Sequence, residues 1–320
     1  MRESQAIQRL RRIATSPAAL GLKDDTAVLD DLVLTHDSIA EGVHFLPTDP
    51  PASVGWKLVA VNLSDLAAKG AEPAAALLSL ALSGDDAWDM SFLDGIEAAC
   101  ESYGLALVGG DTIALPPGAP RVFGLTAIGR SGGEVPLRSG GKDGDILWLV
   151  GTLGDSAAGL ELLSVDPEAT GALVDVYRRP VPLLAAGQAL ATHAHAMMDV
   201  SDGLLLDTMR LAEASGLGAR IDLDALPLSR AFVAERGADL DARLFAASGG
   251  DDYALLAALA PDLDPLRLSL PRGTTIARIG TLSADGPLLS LVSGGSPVPL
   301  PERLGHEHRG NPTAPMADRG

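Results

Sequence analysis

Aspartates recur in five separate segments of this chain, most of them at strand ends, turns or helix starts: Asp25, Asp37, Asp65, Asp111 and the pair Asp199/Asp202. Carboxylates at such places are free to converge on one pocket, where they repel one another unless cations hold them. Hard oxygen ligands in that number suit Mg²⁺, the usual companion of phosphate chemistry. A fold compatible with this pattern must gather distant segments around a cation, and the implied reaction is phosphoryl transfer.

The background composition fits a folded protein with an ample core. At 320 residues and 47% hydrophobic content the chain is long enough for two domains, and with aromatics at 3% alanine, leucine, valine and glycine must fill the interior. Lys+Arg number 24 against Asp+Glu 42, a net charge of -18, which disfavours nucleic acid and anionic lipid as partners. Any bound phosphate must be reached through metal ions or a few local bases. Cys100 is the only cysteine, so an intrachain disulfide framework and a multi-cysteine zinc site are both ruled out. The charged start, MRESQAIQRLRR, is no secretory signal, and the apolar runs Pro73–Leu82 and Ile146–Val150 are too short to span a bilayer. A soluble cytoplasmic protein with no membrane partner is the expectation.

Residues 1–14 read as a short amphipathic helix, and Leu32–Thr35 as a strand stopping at His36-Asp37. A helix is expected from an N-cap at Ser53 to Lys69, ended by Gly70, with Asn62 and Asp65 on one polar face. Strands follow at Ala74–Leu82, Leu105–Val108 (breaking at Gly109-Gly110-Asp111) and Arg121–Ile128, with a helix over Phe92–Tyr103. The glycine-rich stretch from Arg130 to Asp145 is the sharpest compositional break and marks a domain boundary. Beyond it come a strand at Ile146–Val150, a helix from Ser156, a strand at Ala196–Val200 and a helix ending near Ser215-Gly216. Such alternation argues for an α/β or α+β architecture. The polar tail Arg309–Gly320 reads as disordered.

Each chemical signal has a plainer alternative. Asp111 after two glycines suits either a ligand site or an Asx turn closing a strand. Around Asp199-Val200-Ser201-Asp202-Gly203, simple N-capping by Ser201 or Asp202 leaves Asp199 unexplained, whereas an anion site at a helix N-terminus uses all three polar groups. Asp65 is a metal ligand, the partner of Lys57 or Lys69, or solvent-exposed. His44 is a loop histidine, and His306 and His308 flank Glu307 near the end. The turn Gly151–Asp155 lacks the Lys-Ser/Thr of a P-loop.

Taken in order, the runs Asp24–Leu29, Glu41–Phe45, Val61–Ala68, Gly109–Thr112, Gly154–Leu160, Asp199–Leu204 and Ser248–Tyr253 resemble the thiamine-monophosphate kinase family. It belongs to the superfamily that also holds aminoimidazole ribonucleotide synthetase, selenophosphate synthetase and a hydrogenase maturation protein. The resemblance implies a two-domain fold of mixed α/β (α+β) class. Residues 1–137 would form an N-terminal domain whose sheet pairs with that of a second copy into a dimer barrel, and residues 138–309 a C-terminal α/β domain, with 310–320 as a tail. It implies ATP-dependent phosphorylation of thiamine monophosphate to thiamine diphosphate by a homodimer. Asp25, Thr35, His36, Asp37, Asp65, Asp111, Asp199 and Asp202 would hold several Mg²⁺ ions. Tyr103, Gly110, Asp111, Arg138 and Ser201 would contact ATP, while His44, Asp251 and His306 would face the thiamine phosphate. No catalytic side chain beyond metal and phosphate ligands is implied.

Several positions depart from the family pattern. Lys23 stands for Gly, His36 for Thr, Lys69 for a common Met and Asp251 for Glu, and residues 302–309 lack the aromatic often placed over the thiamine ring. The competing readings are another ATP-using enzyme of the superfamily with a different acceptor, and a Mg²⁺/nucleotide sensor without turnover. The N-terminal cysteine of selenophosphate synthetase and the C-terminal cysteine of the hydrogenase maturation protein have no counterpart here.

Overall fold

The computed structural model describes residues 3–306. A short helix α1 (Glu3–Leu10) leads into the strands β1 (Ala27–Leu29) and β2 (Leu32–Ala40), then the long helix α2 (Pro51–Ala68). β3 (Glu72–Leu82), α3 (Asp86–Tyr103), β4 (Ala106–Ala114) and β5 (Val122–Arg130) complete a five-stranded sheet in the order β1-β2-β5-β3-β4. The second half contains β6 (Ile146–Val150), α4 (Asp155–Val165), α5 (Ala172–Arg178), α6 (Leu184–Ala191) and β7 (Ala194–Val200). After these come α7 (Leu204–Ser215), β8 (Gly218–Asp222), α8 (Arg230–Arg236), α9 (Leu240–Gly249) and β9 (Ala254–Leu259). The strands β10 (Ile276–Ser283), β11 (Leu289–Ser293) and β12 (Ser296–Val298) finish a seven-stranded sheet ordered β12-β11-β8-β10-β6-β9-β7. The expected tail, with His308 and Arg309, lies outside the described residues.

Helix α2 is buried on nearly every side, from Ser53 to Ala68. One flank packs on the first sheet and α3, the other on α6, β7 and β9 of the second half. Its apolar residues therefore show no single stripe, as expected of a helix without a solvent face. Contact with α6 is close because Gly187 carries no side chain; a Cβ there would overlap the Ala67 carbonyl. Although aromatics are few, they concentrate in the first core, where the Phe92 and Phe123 rings stack at 4.1 Å with Trp88 alongside.

Some element boundaries differ from the sequence expectation. β2 does not stop at His36-Asp37: it pairs with β5 as far as Ala40, and its alternation buries Thr35 and Ile39 while His36 faces out. β4 likewise runs through Gly109-Gly110-Asp111, and a bulge near Val108 brings Gly110 and Asp111 opposite Leu78 and Ser79. Gly110 has φ 151°, and the Leu78 backbone occupies the space a Cβ would need. α2 starts at Pro51, with Pro50 rather than Ser53 at the N-cap, since proline is pre-organised for a first helical turn. α3 begins earlier than expected because the Asp85 carboxylate accepts the Trp88 N–H. At α7 the N-cap is Gly203, so neither Ser201 nor Asp202 caps the helix.

A candidate phosphate and metal site

Three carboxylates from three distant segments meet beneath α2. One oxygen each from Asp25, in the loop before β1, Asp65 on α2 and Asp199 near the end of β7 lie within 4.8 Å of one another. Neutral groups hold two of them: Thr35 donates its hydroxyl to Asp65, and Ser64 donates to Asp199 at 2.7 Å. Asp37 is fixed alongside by its backbone N–H, which donates to the Asn62 side chain at 2.9 Å. The polar face of Asn62 and Asp65 thus points at the site.

The charges around this cluster are unevenly compensated. Burial works to raise the Asp25 pKa, but Lys69 and Arg138 beside it prevail and hold it at about 2. For Asp65, burial together with the charges of Asp37, Asp199 and Asp25 pushes the carboxyl well above its usual value of 3.8. Asp199 is raised in the same way, by burial and by Asp25. One Asp25 oxygen, Oδ2, is buried with the Lys69 ammonium 3.0 Å away. Three carboxylates gathered this closely in the interior are a donor set that fits a hard divalent cation.

Of the two lysines proposed as partners for Asp65, neither takes that role. Lys69 Nζ lies 2.5 Å from Asp24 and 3.0 Å from Asp25, and Lys57 Nζ lies 2.6 Å from Asp251. Asp65 is therefore left to Thr35 and the cluster. Arg138 pairs with Asp25, and its backbone N–H donates to Asp24 at 2.8 Å. Asp202 pairs with Arg210 at 2.5 Å, and burial drives the neighbouring Asp207 up to about 7 despite Arg210.

Other expected site residues gather on the far side of α2. The Ser201 carbonyl accepts the Asp251 N–H at 2.7 Å, and the Asp202 carbonyl accepts the His306 N–H at 2.8 Å. Asp251, held at φ 62°, accepts from Lys57, Ser156 and Tyr253. It borders a cavity of about 450 Å³ lined also by Ser156, Tyr177, Phe245, Arg303 and His306. Lys57 and Asp65 are about two turns apart on α2, so the cavity and the cluster are separated by roughly 12 Å along one helix. Asp252 accepts the Gly154 N–H at 2.9 Å, tying two of the recognised runs together.

Not every expected residue reaches either place. The His36 ring lies on the opposite face of β2 from Thr35, with Nδ1 2.9 Å from the Thr126 hydroxyl. His44 does not line the cavity; its Nδ1 accepts the Ala40 N–H at 3.1 Å, while neighbouring Leu46 packs against the group that includes Tyr177. Gly110 and Asp111 sit on the edge strand β4, separated from β2 by β5 and β3, and Tyr103 packs edge-on against Trp56 at 5.6 Å. Sequence reasoning missed Asp24, Ser64, Lys57, Asp207 and Arg210 as members of these networks. The available signal was charged residues inside or beside strongly apolar helices, such as Lys57 and Lys69.

If burial and mutual repulsion hold the carboxylates up, the metal-free protein should lose stability as pH rises above the usual carboxylate range, because the folded state there binds more protons than the unfolded chain. Asp65→Asn should melt higher than the native protein in EDTA above neutral pH and converge with it near pH 4. Thermal melts across that range check this; a lower melting temperature for the variant at neutral pH would contradict it.

Known proteins resemble this chain along most of its length. The family model described as AIR synthase related protein, N-terminal domain, matches residues 23–131, and its C-terminal counterpart matches 142–288. A thiamine-monophosphate kinase from Salmonella typhimurium is 39% identical over 91% of this chain and 92% of its own. One from Caulobacter vibrioides is 38% identical over 96% and 90%. Among solved structures, AaThiL complexed with AMPPCP and TMP superposes with a TM-score of 0.82 at 31% identity, covering 96% of this chain and 97% of that one. With a buried aspartate cluster and this likeness over both halves, the chain belongs to the thiamine-monophosphate kinase branch of the AIR synthase related family.

Proposed function

We propose that the protein transfers the γ-phosphoryl group of ATP to thiamine monophosphate, giving ADP and thiamine diphosphate. The observation that carries this reading is the buried Asp25–Asp65–Asp199 cluster, joined by one helix to a cavity that ends at Asp251 and His306. The names of the relatives and the ligands of the superposed structure supply the identity of donor and acceptor. In the reaction an acceptor phosphate oxygen forms the new bond to γ-phosphorus, and the bond from γ-phosphorus to the bridging oxygen breaks. The attacking oxygen is already ionised, so positioning and charge neutralisation matter more than a general base.

Mg²⁺, when bound, supplies that neutralisation and orients the transferred group. In this reading Asp25, Asp65 and Asp199 hold metal, with Thr35, Asp37 and Asp202 close by. Arg138, paired with Asp25, serves the nucleotide, and the family likeness adds Ser201, Tyr103, Gly110 and Asp111 to that role. Asp251 and His306 serve the acceptor, and the family likeness adds His44 to that role. The division into residues 1–137 and 138–309 places a sheet in each part, and a cytoplasmic location accords with the metabolite substrates. Among the described residues no helix is long and apolar enough to cross a membrane.

The expected partner of the first sheet is a second copy. Every residue of β4 is exposed, including Leu107 at 49%, Val108 at 62% and Ile113 at 53%. An apolar edge strand of this length invites pairing. Val108→Lys should shift the protein from dimer toward monomer in light scattering; a native protein that is monomeric at micromolar concentration would sink this part.

The catalytic reading is tested by ADP release with Mg²⁺ and each acceptor in turn. Thiamine monophosphate should support turnover and free thiamine should not, since it offers no ionised phosphate. Comparable turnover on free thiamine would overturn the reading.

A further inference from the structure

Lys69 is tied to all three segments that form the carboxylate cluster. It follows α2 one turn after Asp65, and its ammonium lies 2.5 Å from Asp24 Oδ1 and 3.0 Å from Asp25 Oδ2. The same nitrogen donates at 3.0 Å to the carbonyl of Met197, two residues before Asp199 on β7. Three neighbours account for the three protons of the ammonium. The Lys69 side chain has no solvent exposure, and those of Asp24 and Asp25 have 4% and 7%. A charge buried this deeply persists only when paired.

The surrounding charges can be counted. Asp24 and Asp25 carry two negative charges, and Lys69 with Arg138 carries two positive ones, so these four cancel. Asp65 and Asp199 remain, with Asp37 beside them, an excess of negative charge that a divalent ion would offset. Without Lys69 the same pocket would hold one more uncompensated negative charge.

We propose that Lys69 is a built-in cation of the metal centre, its ammonium standing at Asp24 and Asp25 where a further metal charge would otherwise be needed. Lys69 is on this account a positioning residue that sets how strongly the empty cluster demands a divalent cation. The inference rests on the metal-site reading above. It differs from a purely structural role in the sign of its effect. A structural brace, once removed, would loosen the loop and weaken metal binding, whereas removal of a resident cation strengthens it.

The test is titration of the nucleotide-free protein with Mn²⁺, following free ion by electron paramagnetic resonance, alongside melting with and without Mn²⁺. Lys69→Met keeps an unbranched side chain one atom shorter and removes its charge. It should bind Mn²⁺ about tenfold more tightly than the native protein, as expected for the loss of a like charge a few ångströms away. It should also melt lower in EDTA and recover most of that loss with Mn²⁺. Equal or weaker Mn²⁺ binding, or the same loss of melting temperature with and without Mn²⁺, would overturn the proposal. Asp24→Asn provides an independent arm should the methionine variant fail to fold. It leaves the ammonium to Asp25 alone and should weaken Mn²⁺ binding several-fold, and unchanged or tighter binding would refute the proposal. A native protein that binds no Mn²⁺ would remove the metal-site reading itself and this inference with it, whereas native binding without the expected changes removes only the role of Lys69.

Discussion

Placing Asp25, Asp65 and Asp199 within 4.8 Å of one another inside the protein is the constraint around which the remaining structure is arranged. Like charges at that distance in a poorly hydrated interior oppose folding. The chain offsets the repulsion locally, with Lys69 and Arg138 on Asp25, Thr35 on Asp65 and Ser64 on Asp199. Two of the three carboxyls still sit well above their usual pKa, so compensation is incomplete without a cation. Such incomplete satisfaction is characteristic of a functional site rather than of a structural ion pair.

Helix α2 makes this possible because both halves of the molecule cover it. A helix with one solvent face could not bury Lys57, Asn62, Ser64, Asp65 and Lys69 together. Enclosed between the sheets, it presents Lys57 to Asp251 at the cavity and Asp65 to the cluster about two turns on. Position along α2 therefore sets the relation between the cavity at Asp251 and the carboxylate cluster. The close approach of Ala67 to Gly187 fixes the helix against the second half, and with it the distance from Asp65 to Asp199.

Much of this was legible in the residues. Strand and helix alternation indicated the mixed architecture, and the polar pair Asn62/Asp65 in an apolar helix indicated an inward-facing site. The ordered runs carried the family likeness. What escaped was set by packing across the chain. The reach of β2 beyond His36 and of β4 beyond Gly109 depends on their neighbours β5 and β3, which supply the ladder that local glycine and polar residues argue against. The partners of Lys57 and Lys69 come from residues 251 and 24–25, too distant in sequence for helix spacing to reveal. His36 illustrates the period of a strand: with Thr35 and Asp37 facing the site, the residue between them faces away.

The central claim is that the three converging carboxylates hold a divalent cation, and the most direct measurement is anomalous diffraction from crystals grown with Mn²⁺ and a non-hydrolysable ATP analogue. The account predicts an anomalous peak at metal–oxygen distance, roughly 2.0–2.4 Å, from carboxylate oxygens of Asp25, Asp65 and Asp199. A fully occupied nucleotide with no such peak, or with Mn²⁺ bound only away from these three residues, would contradict it.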